Sequence, residues 1–265
     1  MNFAGNELDA LLVEPSKVQQ RIIIEALQKL GVVQIKAVES GSDALAQMRR
    51  AKPAIVVSAM YLPDMSGTDL ITAMRDDKRL AAVAFILISS ETRPHMLEGV
   101  RQSGACAILP KPFTPAQLDR AMRATLDYLN PSDSLQVQGV DLEALRVLIV
   151  DDSGNARRFI RRVLSNLGIE HFLEAENGRQ AVEVLGGNLV DLVITDYHMP
   201  EMGGQELVEH IRSQGWQSSV PILMVTSEQN SSRLAAVEQA GVSAICDKPF
   251  EPSTIKTLIE KALAA

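Results

Sequence analysis

The chain contains the same four sequence motifs twice, in the same order and at the same spacing. LLVEPSKVQQRII (11–23) matches LIVDDSGNARRFI (148–160), and VVSAMYLPDMSG (56–67) matches VITDYHMPEMGG (193–204). FILISSE (85–91) matches ILMVTSE (222–228), and PKPF (110–113) matches DKPF (247–250). The offset is constant, because 150 − 13, 196 − 59, 226 − 89 and 248 − 111 all equal 137. The sequence therefore predicts two copies of one fold with no net insertion between them.

The length of 265 residues suits two domains, each large enough to bury its own core. We predict domains at 1–130 and 143–265, joined by a linker at 131–142 that contains Pro, Ser, Gly and Asp. Within each copy, short Val- and Ile-rich runs alternate with segments whose apolar residues recur every three or four positions. Such alternation predicts a doubly wound α/β fold, a parallel sheet with helices on both faces.

For the second copy, the pattern predicts the positions of five strands and of the first helix. The predicted helix is SGNARRFIRRVLSNLG, which ends at Gly168 as a helix C-terminus should. The predicted strands lie near 145–150, 169–174, 190–195, 221–226 and 243–246.

Composition excludes several classes of protein. A net charge of −7 argues against a nonspecific nucleic-acid binder. The longest apolar stretch, 80–88, is too short to span a bilayer, and the N-terminus lacks the pattern of a secretory signal, so we expect a cytoplasmic protein. Cys106 and Cys246 each lie in a short apolar segment, where buried reduced thiols are expected.

Polar side chains follow the predicted strands of the second copy. Asp151 and Asp152 follow VLIV, Asp196 follows LVIT, Thr226 ends ILMVT, and Lys248 follows AIC by one residue. The carboxyl ends of parallel strands meet at one edge of the sheet, where ligands bind in this architecture. Crowded carboxylates repel unless a cation joins them, and oxygen ligands suit Mg²⁺. The set matches a site that stabilises a phosphoryl group during transfer to an Asp nucleophile.

The segments VDDS, TDYHMP, VTSE and DKPF resemble those of bacterial response regulator receiver domains, which have the CheY-like fold. The resemblance covers essentially the whole second copy. It implies two flavodoxin-like (βα)5 domains whose parallel five-stranded sheets have the order 2-1-3-4-5. It also implies that Asp196 accepts phosphate from a histidine kinase or a phosphotransfer protein.

The resemblance further implies the roles of the other site residues. Asp152, Asp196 and the main-chain carbonyl of His198 would bind Mg²⁺, and Asp151 would act through a bound water. Thr226 and Lys248 would sense the phosphoryl group, and the bond from Lys248 to Pro249 would be cis. Ile245 stands three residues before the lysine, where this family often has Tyr or Phe, which leaves an aromatic rotamer switch in question.

The first copy keeps the scaffold but lacks the reactive residues. Ala59 stands in the position of Asp196, and Pro15 replaces the second residue of the acidic pair. Only Glu14 remains near Lys111, where a local ion pair that needs no ligand is expected. The first copy therefore resembles a pseudo-receiver, a class used for protein binding or dimerisation, and we expect no phosphorylation there.

We expect a two-component signalling protein that is not an enzyme beyond its own phosphoryl transfer and dephosphorylation. No further domain follows Ala265 in the sequence, so output is expected through a downstream protein target, on the face around the fourth and fifth helices of the second copy. A homodimer and a role in chemotaxis or motility are left open. The alternatives are a phosphate sink, a constitutive scaffold acting through the first copy, or an aspartyl-phosphate phosphatase. The phosphatase is disfavoured because Asp151 and Asp152 are adjacent rather than alternating.

Overall fold

The computed structural model describes residues 8–130 and 141–264. The chain forms two compact units, Met1–Leu129 and Asn130–Ala265. Most of the predicted linker, residues 131–140, lies outside the described residues.

The described part of the N-terminal unit alternates strictly between strand and helix. Its strands are β1 (Asp9–Val13), β2 (Gln34–Val38), β3 (Ile55–Ala59), β4 (Ala84–Ser89) and β5 (Ala107–Pro110). Its helices are α1 (Lys17–Lys29), α2 (Gly41–Arg50), α3 (Gly67–Asp76), α4 (Pro94–Gln102) and α5 (Pro115–Leu129).

The C-terminal unit repeats this alternation. Its strands are β6 (Arg146–Val150), β7 (His171–Ala175), β8 (Leu192–Thr195), β9 (Ile222–Thr226) and β10 (Ala244–Asp247). Its helices are α6 (Gly154–Asn166), α7 (Gly178–Gly187), α8 (Gly204–Gln214), α9 (Ser231–Ala240) and α10 (Pro252–Ala264).

Each unit contains one five-stranded parallel sheet. The orders are β2-β1-β3-β4-β5 and, read from the other edge, β7-β6-β8-β9-β10. Each order is 2-1-3-4-5 within its own unit, so the predicted pair of doubly wound flavodoxin-like (βα)5 folds is confirmed. The central strands β3, β4, β8 and β9 are buried at every position, because helices cover both faces of a doubly wound sheet.

The offset of 137 residues holds for the secondary structure as well as for the motifs. Helix α1 begins at Lys17 and α6 at Gly154, and 154 − 17 equals 137. Strand β5 begins at Ala107 and β10 at Ala244, with the same difference. The two units therefore place corresponding residues at corresponding points of the fold.

The predicted strand positions in the second copy are correct to within two residues. The largest differences are at β7, which begins at His171 rather than at 169, and at β8, which begins at Leu192 rather than at 190. Gly168 adopts a left-handed φ of +99°, and the N–H of Ile169 donates to the carbonyl of Leu164 at 3.2 Å. Residues 168 and 169 therefore terminate α6, as the predicted glycine C-terminus requires, and the strand begins after them.

Two features of the chain bring the ends of the strands into position. Ser16 and Ser153 cap α1 and α6, each accepting a hydrogen bond from the backbone three residues later, so each helix starts directly after the loop that follows the first strand. The peptide bonds Lys111–Pro112 and Lys248–Pro249 are both cis, which confirms the prediction for the second copy.

Among the described residues, no helix is long and apolar enough to cross a membrane.

Candidate functional site

Three carboxylates meet at the carboxyl edge of the second sheet. Asp151 follows β6, Asp152 is its neighbour, and Asp196 follows β8, the strand that pairs with β6. Each of the three offers an oxygen, and these oxygens all lie within 4.8 Å of one another. Asp151 and Asp196 are buried, whereas Asp152 is exposed. The cluster predicted from the strand ends is therefore present, with one member open to solvent.

Lys248 connects the buried carboxylates. Its Nζ donates to Asp151 Oδ2 at 2.6 Å and to Asp196 Oδ2 at 2.9 Å, and its side chain is only 4% exposed. Burial alone would lower the pKa of Lys248, but the two carboxylates outweigh it and raise this pKa above its ordinary value. Burial also raises the pKa of Asp151, while Lys248 opposes that shift and Asp196 adds to it. The ammonium group is thus held charged beside the two aspartates.

The position of Asp196 is fixed by its backbone surroundings. Its N–H donates to the carbonyl of Val150 at 2.8 Å, and its Oδ1 accepts from the N–H of Tyr197 at 2.7 Å. A Cβ atom on Gly204, at the start of α8, would lie only 2.1 Å from the carbonyl oxygen of Asp196. Glycine is therefore required there, because α8 begins directly against the peptide group that carries the aspartate.

Thr226 ends β9, the strand next to β8, and is fully buried. Its Oγ1 accepts a hydrogen bond from the N–H of Glu228 at 3.1 Å. A hydroxyl that accepts from a backbone amide can still donate its own proton to another oxygen. Thr226 therefore provides a donor at the same edge of the sheet as the three carboxylates.

His198 lies two residues after Asp196, and its side chain is exposed. Its Nε2 lies 3.1 Å from Glu228 Oε2, and the same oxygen accepts from Arg233 Nη1 at 2.7 Å. The hydrogen bond from Arg233 lowers the pKa of Glu228 to about 2, so this carboxylate is ionised at neutral pH. The side chain of His198 thus joins the loop after β8 to helix α9. The predicted role of its main-chain carbonyl as a metal ligand stays a prediction.

The donor set fits a divalent cation with a preference for oxygen. Three carboxylates and one ammonium group carry a formal charge of −2, which one divalent ion would neutralise. Asp152, the exposed carboxylate, leaves the site open to solvent, so such an ion would keep some of its water ligands.

At the corresponding site in the N-terminal unit, the one lysine and the one acidic side chain pair with each other. Lys111 Nζ donates to Glu14 Oε2 at 2.7 Å, which confirms the expected ion pair, and Glu14 Oε1 accepts from the N–H of Ser16 at 3.0 Å. Ala59 occupies the end of β3 without a carboxylate. One acid and one base leave no excess negative charge to hold a cation.

In the N-terminal unit, hydrogen bonds between side chains join the loop after β3 to the loop after β4. Tyr61 donates its hydroxyl proton to Glu91 Oε2 at 2.9 Å, and Arg93 Nε donates to Glu91 Oε1 at 2.8 Å. The hydrogen bonds from Arg93 lower the pKa of Glu91 well below its usual range. Because 198 − 61 and 228 − 91 both equal 137, this link corresponds to the pair formed by His198 and Glu228.

Sequence reasoning missed several side-chain contacts near the carboxyl ends of the strands. The hydrogen bonds made by Glu91 and Glu228 were not predicted. The available signal was that these two residues end matching motifs, ISSE and VTSE. The role of Arg157 was also missed: its Nη1 donates to the backbone carbonyl of Asp151 at 2.7 Å. The side chain of Arg157 is only 13% exposed, although α6 is rich in arginine.

Comparison with known proteins agrees with the geometry. The model of the response regulator receiver domain matches residues 10–123 and again 147–260. The chemotaxis protein CheY1 of Helicobacter pylori is 41% identical over 120 residues, which are 45% of this chain and 97% of the relative. A chemotaxis protein CheY homolog of Campylobacter jejuni is 40% identical over 120 residues, 45% of this chain and 92% of the relative.

Among solved structures, the chemotaxis protein CheY4 of Vibrio cholerae is 31% identical, with a TM-score of 0.42, over 45% of this chain and 98% of that chain. The similar single-domain proteins each correspond to less than half of this chain, whereas the domain model matches both halves. The chain belongs to the response regulator receiver family and carries two receiver domains in tandem, as the repeat predicts.

Proposed function

We propose that the C-terminal receiver accepts a phosphoryl group on Asp196, in a reaction that depends on Mg²⁺, and thereby changes its binding to other proteins. The observation that carries the proposal is the double contact of Lys248, which holds Asp151 and Asp196 together while Asp152 completes an oxygen cluster open to solvent. The donor would be a histidine kinase or a phosphotransfer protein. The chain's own contribution is to transfer and later hydrolyse this one phosphoryl group, so it is not an enzyme with turnover on a separate substrate.

In the proposed reaction, one carboxylate oxygen of Asp196 attacks phosphorus. The bond from phosphorus to the donor nitrogen breaks as the acyl phosphate forms. Lys248, already within hydrogen-bonding distance of Asp196, balances negative charge on one phosphoryl oxygen. The hydroxyl of Thr226 donates to another. Asp152, Asp196 and the carbonyl of His198, with Asp151 acting through a bound water, would hold a Mg²⁺ ion that supplies positive charge beside the phosphoryl oxygens.

Helix α9 is the best candidate for the element that responds. It buries only Val237, whereas α6, α7, α8 and α10 each bury at least three residues. A helix with few buried side chains can be displaced at a small cost in free energy. Arg233, on α9, is joined through Glu228 to the loop that follows Asp196. We therefore propose that phosphorylation shifts the population of α9 positions and alters a protein-binding face that includes α10.

The test is intact-mass detection of phosphorylation by acetyl phosphate with Mg²⁺. Wild type should gain one phosphoryl group, and Asp196→Asn should gain none. Asp247→Asn, which alters an exposed aspartate next to Lys248, is the matched control and should be labelled like wild type. Excess EDTA should abolish labelling.

Two outcomes would contradict the proposal. Wild type that stays unlabelled while a known receiver is labelled in parallel would leave the chain as a double scaffold. Labelling that persists in Asp196→Asn would place the nucleophile elsewhere. Turnover of small phosphomonoesters would favour the phosphatase alternative.

A second function is favoured for the N-terminal unit. Its site contains a satisfied ion pair between Lys111 and Glu14 and no carboxylate at Ala59, so its binding surface cannot depend on phosphorylation at that position. We propose that it acts as a constitutive protein-binding module. Its partners should be retained by Asp196→Asn, whereas partners of the C-terminal receiver should respond to that change. The relatives named as chemotaxis proteins make motility the first setting in which to search for both.

A further inference from the structure

Arg157 forms an unusual set of contacts for a residue in an arginine-rich helix. Its Nη1 donates to the backbone carbonyl of Asp151 at 2.7 Å, while its Nε and Nη2 contact Glu174 and Glu176, both at 3.1 Å. Its neighbour Arg158, which is exposed, instead pairs locally with the side chain of Asn155. Arg157 thus joins α6 to the acidic loop after β6 and to the end of β7.

The carbonyl that Arg157 holds belongs to the peptide group between Asp151 and Asp152. Because that group is planar, fixing its oxygen restricts the backbone of both aspartates. The N–H of Asp151 is held separately, by the carbonyl of Ala175 at 3.2 Å. Together the two hydrogen bonds set the direction in which the two carboxylates leave the backbone.

The N-terminal unit makes the same contact with a different residue. Gln20 corresponds to Arg157, since 157 − 20 equals 137, and its Nε2 donates to the carbonyl of Glu14 at 2.7 Å. The N–H of Glu14 is likewise held by the end of β2, through the carbonyl of Val38 at 3.0 Å. A neutral amide therefore suffices for the carbonyl contact, and the charge of Arg157 serves another purpose.

The neighbouring strands explain the difference between Gln20 and Arg157. Ala37 stands where the C-terminal unit has Glu174, because 174 − 37 equals 137. Arg157 balances Glu174 and Glu176, and Gln20 has no glutamate to balance at the first of these positions. The guanidinium group therefore makes two separable kinds of contact: a hydrogen bond to the carbonyl of the acidic loop, and ion pairs with the two glutamates.

We propose that Arg157 is a positioning residue for the cation site, and that it acts through its hydrogen bond to the carbonyl of Asp151 rather than through its charge. The inference rests on the proposed function of the C-terminal receiver. Groups that orient metal ligands without touching the metal typically change metal affinity by about 10- to 100-fold. Removing the carbonyl contact should therefore weaken Mg²⁺ binding without removing any carboxylate.

The experiment compares Arg157→Gln with Arg157→Met in the full-length chain, with Arg158→Gln as the matched control. Gln and Met have similar length, but only Gln can donate to the carbonyl, as Gln20 does. The dissociation constant for Mg²⁺ is measured by isothermal titration calorimetry, and the melting temperature is measured on the same samples. Both Arg157 variants lose the ion pairs to Glu174 and Glu176, so both should melt below wild type, and Arg157→Met should melt lower because it also loses the hydrogen bond to the carbonyl of Asp151.

The affinities should separate the two variants. Arg157→Met should bind Mg²⁺ about 10-fold or more weakly. Arg157→Gln should stay within about 3-fold of wild type, and Arg158→Gln should match wild type. Equal affinity in Arg157→Met and wild type would overturn the inference, and so would an equally large loss in Arg157→Gln and Arg157→Met.

A further variant keeps the test decisive if Arg157→Met does not fold. Glu174→Gln combined with Glu176→Gln removes the ion pairs but leaves the carbonyl contact, so its Mg²⁺ affinity should remain close to that of wild type. A loss of about 10-fold in this variant would overturn the inference, because charge rather than the carbonyl contact would then control the site. Wild type that neither binds Mg²⁺ nor is phosphorylated would instead contradict the proposed function itself.

Discussion

The two units offer a direct comparison of corresponding lysines, one beside excess negative charge and one without it. Lys248 is 4% exposed and compensates two carboxylates that are at most 1% exposed. Lys111 is 21% exposed and compensates only Glu14. Replacing each lysine with Met should therefore have unequal effects on stability, and only the effect at Lys248 should depend on a divalent cation.

The expected magnitudes follow from burial. Lys248→Met leaves Asp151 and Asp196 buried without their cation, which should cost about 3–5 kcal/mol in the free energy of unfolding. Lys111→Met leaves Glu14 with its hydrogen bond from Ser16, and should cost about 1–2 kcal/mol. With a denaturant slope of about 2 kcal/mol per M, the first loss corresponds to a shift of about 2 M in the urea midpoint.

Urea unfolding in EDTA and in excess Mg²⁺ measures both effects. Trp216 is the only tryptophan of the chain and lies in the C-terminal unit, so its fluorescence follows that unit, while far-ultraviolet circular dichroism follows the whole chain. Mg²⁺ should restore part of the loss in Lys248→Met, because the cation replaces the missing positive charge. It should not change the loss in Lys111→Met. Equal midpoint shifts in EDTA, or a loss in Lys248→Met that Mg²⁺ leaves unchanged, would refute the reasoning.

Three other predictions test separate features of the chain. Glu201 has a left-handed φ of 64°, a conformation that asparagine adopts more readily, so Glu201→Asn should raise stability by about 0.5–1 kcal/mol in urea unfolding, and a decrease would argue against strain at this position. In an Asp196→Asn background, Ala59→Asp alone should not make the N-terminal unit a phosphoacceptor. Ala59→Asp combined with Pro15→Asp restores three carboxylates beside the lysine and should allow Mg²⁺-dependent labelling by acetyl phosphate. Labelling of the single variant would contradict the need for the acidic pair. Cys106 and Cys246 are buried, and burial raises the pKa of Cys246 to about 12, so both thiols should react slowly with a disulfide reagent in the native protein and rapidly in urea; fast native reaction would show that these segments open readily.

The sequence predicted the fold and the grouping of polar side chains at one edge of the second sheet because both depend on regular geometry. Alternating strands and helices imply a parallel sheet, and a parallel sheet brings Asp151, Asp196 and Lys248 to one edge whatever the details of packing. The repeat added strong support, since one copy constrains the interpretation of the other. The lack of a carboxylate at the corresponding position of the first copy also followed from sequence, because Ala59 stands there.

Contacts between long side chains could not be predicted in the same way. Arg157 and Arg158 are identical in type and adjacent in sequence, yet one holds a backbone carbonyl and the other stays in solvent. Which one turns inward depends on helix rotation and on the glutamates of β7, and sequence spacing does not fix either. The exact start of β7 was missed for a related reason, since hydrogen bonds at the end of α6 rather than hydrophobicity determine it.

Ile245 shows a further limit. The sequence put an aromatic rotamer switch at this position in question, and the structure shows Ile245 partly buried and packed against the hydrophobic core of the C-terminal unit. A branched aliphatic side chain in that setting has few rotamers to exchange. Any signal that reaches α10 must therefore travel by backbone movement or by other side chains.

The constant offset between the units has a consequence for how this protein can change. Since most corresponding elements begin 137 residues apart, exchange of a segment between the two halves of the gene would alter no loop length. A chimera that received the loop of Tyr61 in place of the loop of His198 would still present a side chain able to contact Glu228. An exchange that also included the last residue of β3 would replace Asp196 with Ala59 and remove the proposed phosphoacceptor in one step. Recombination within the gene can therefore exchange a receiver that has the carboxylate cluster for one that lacks it while conserving the architecture.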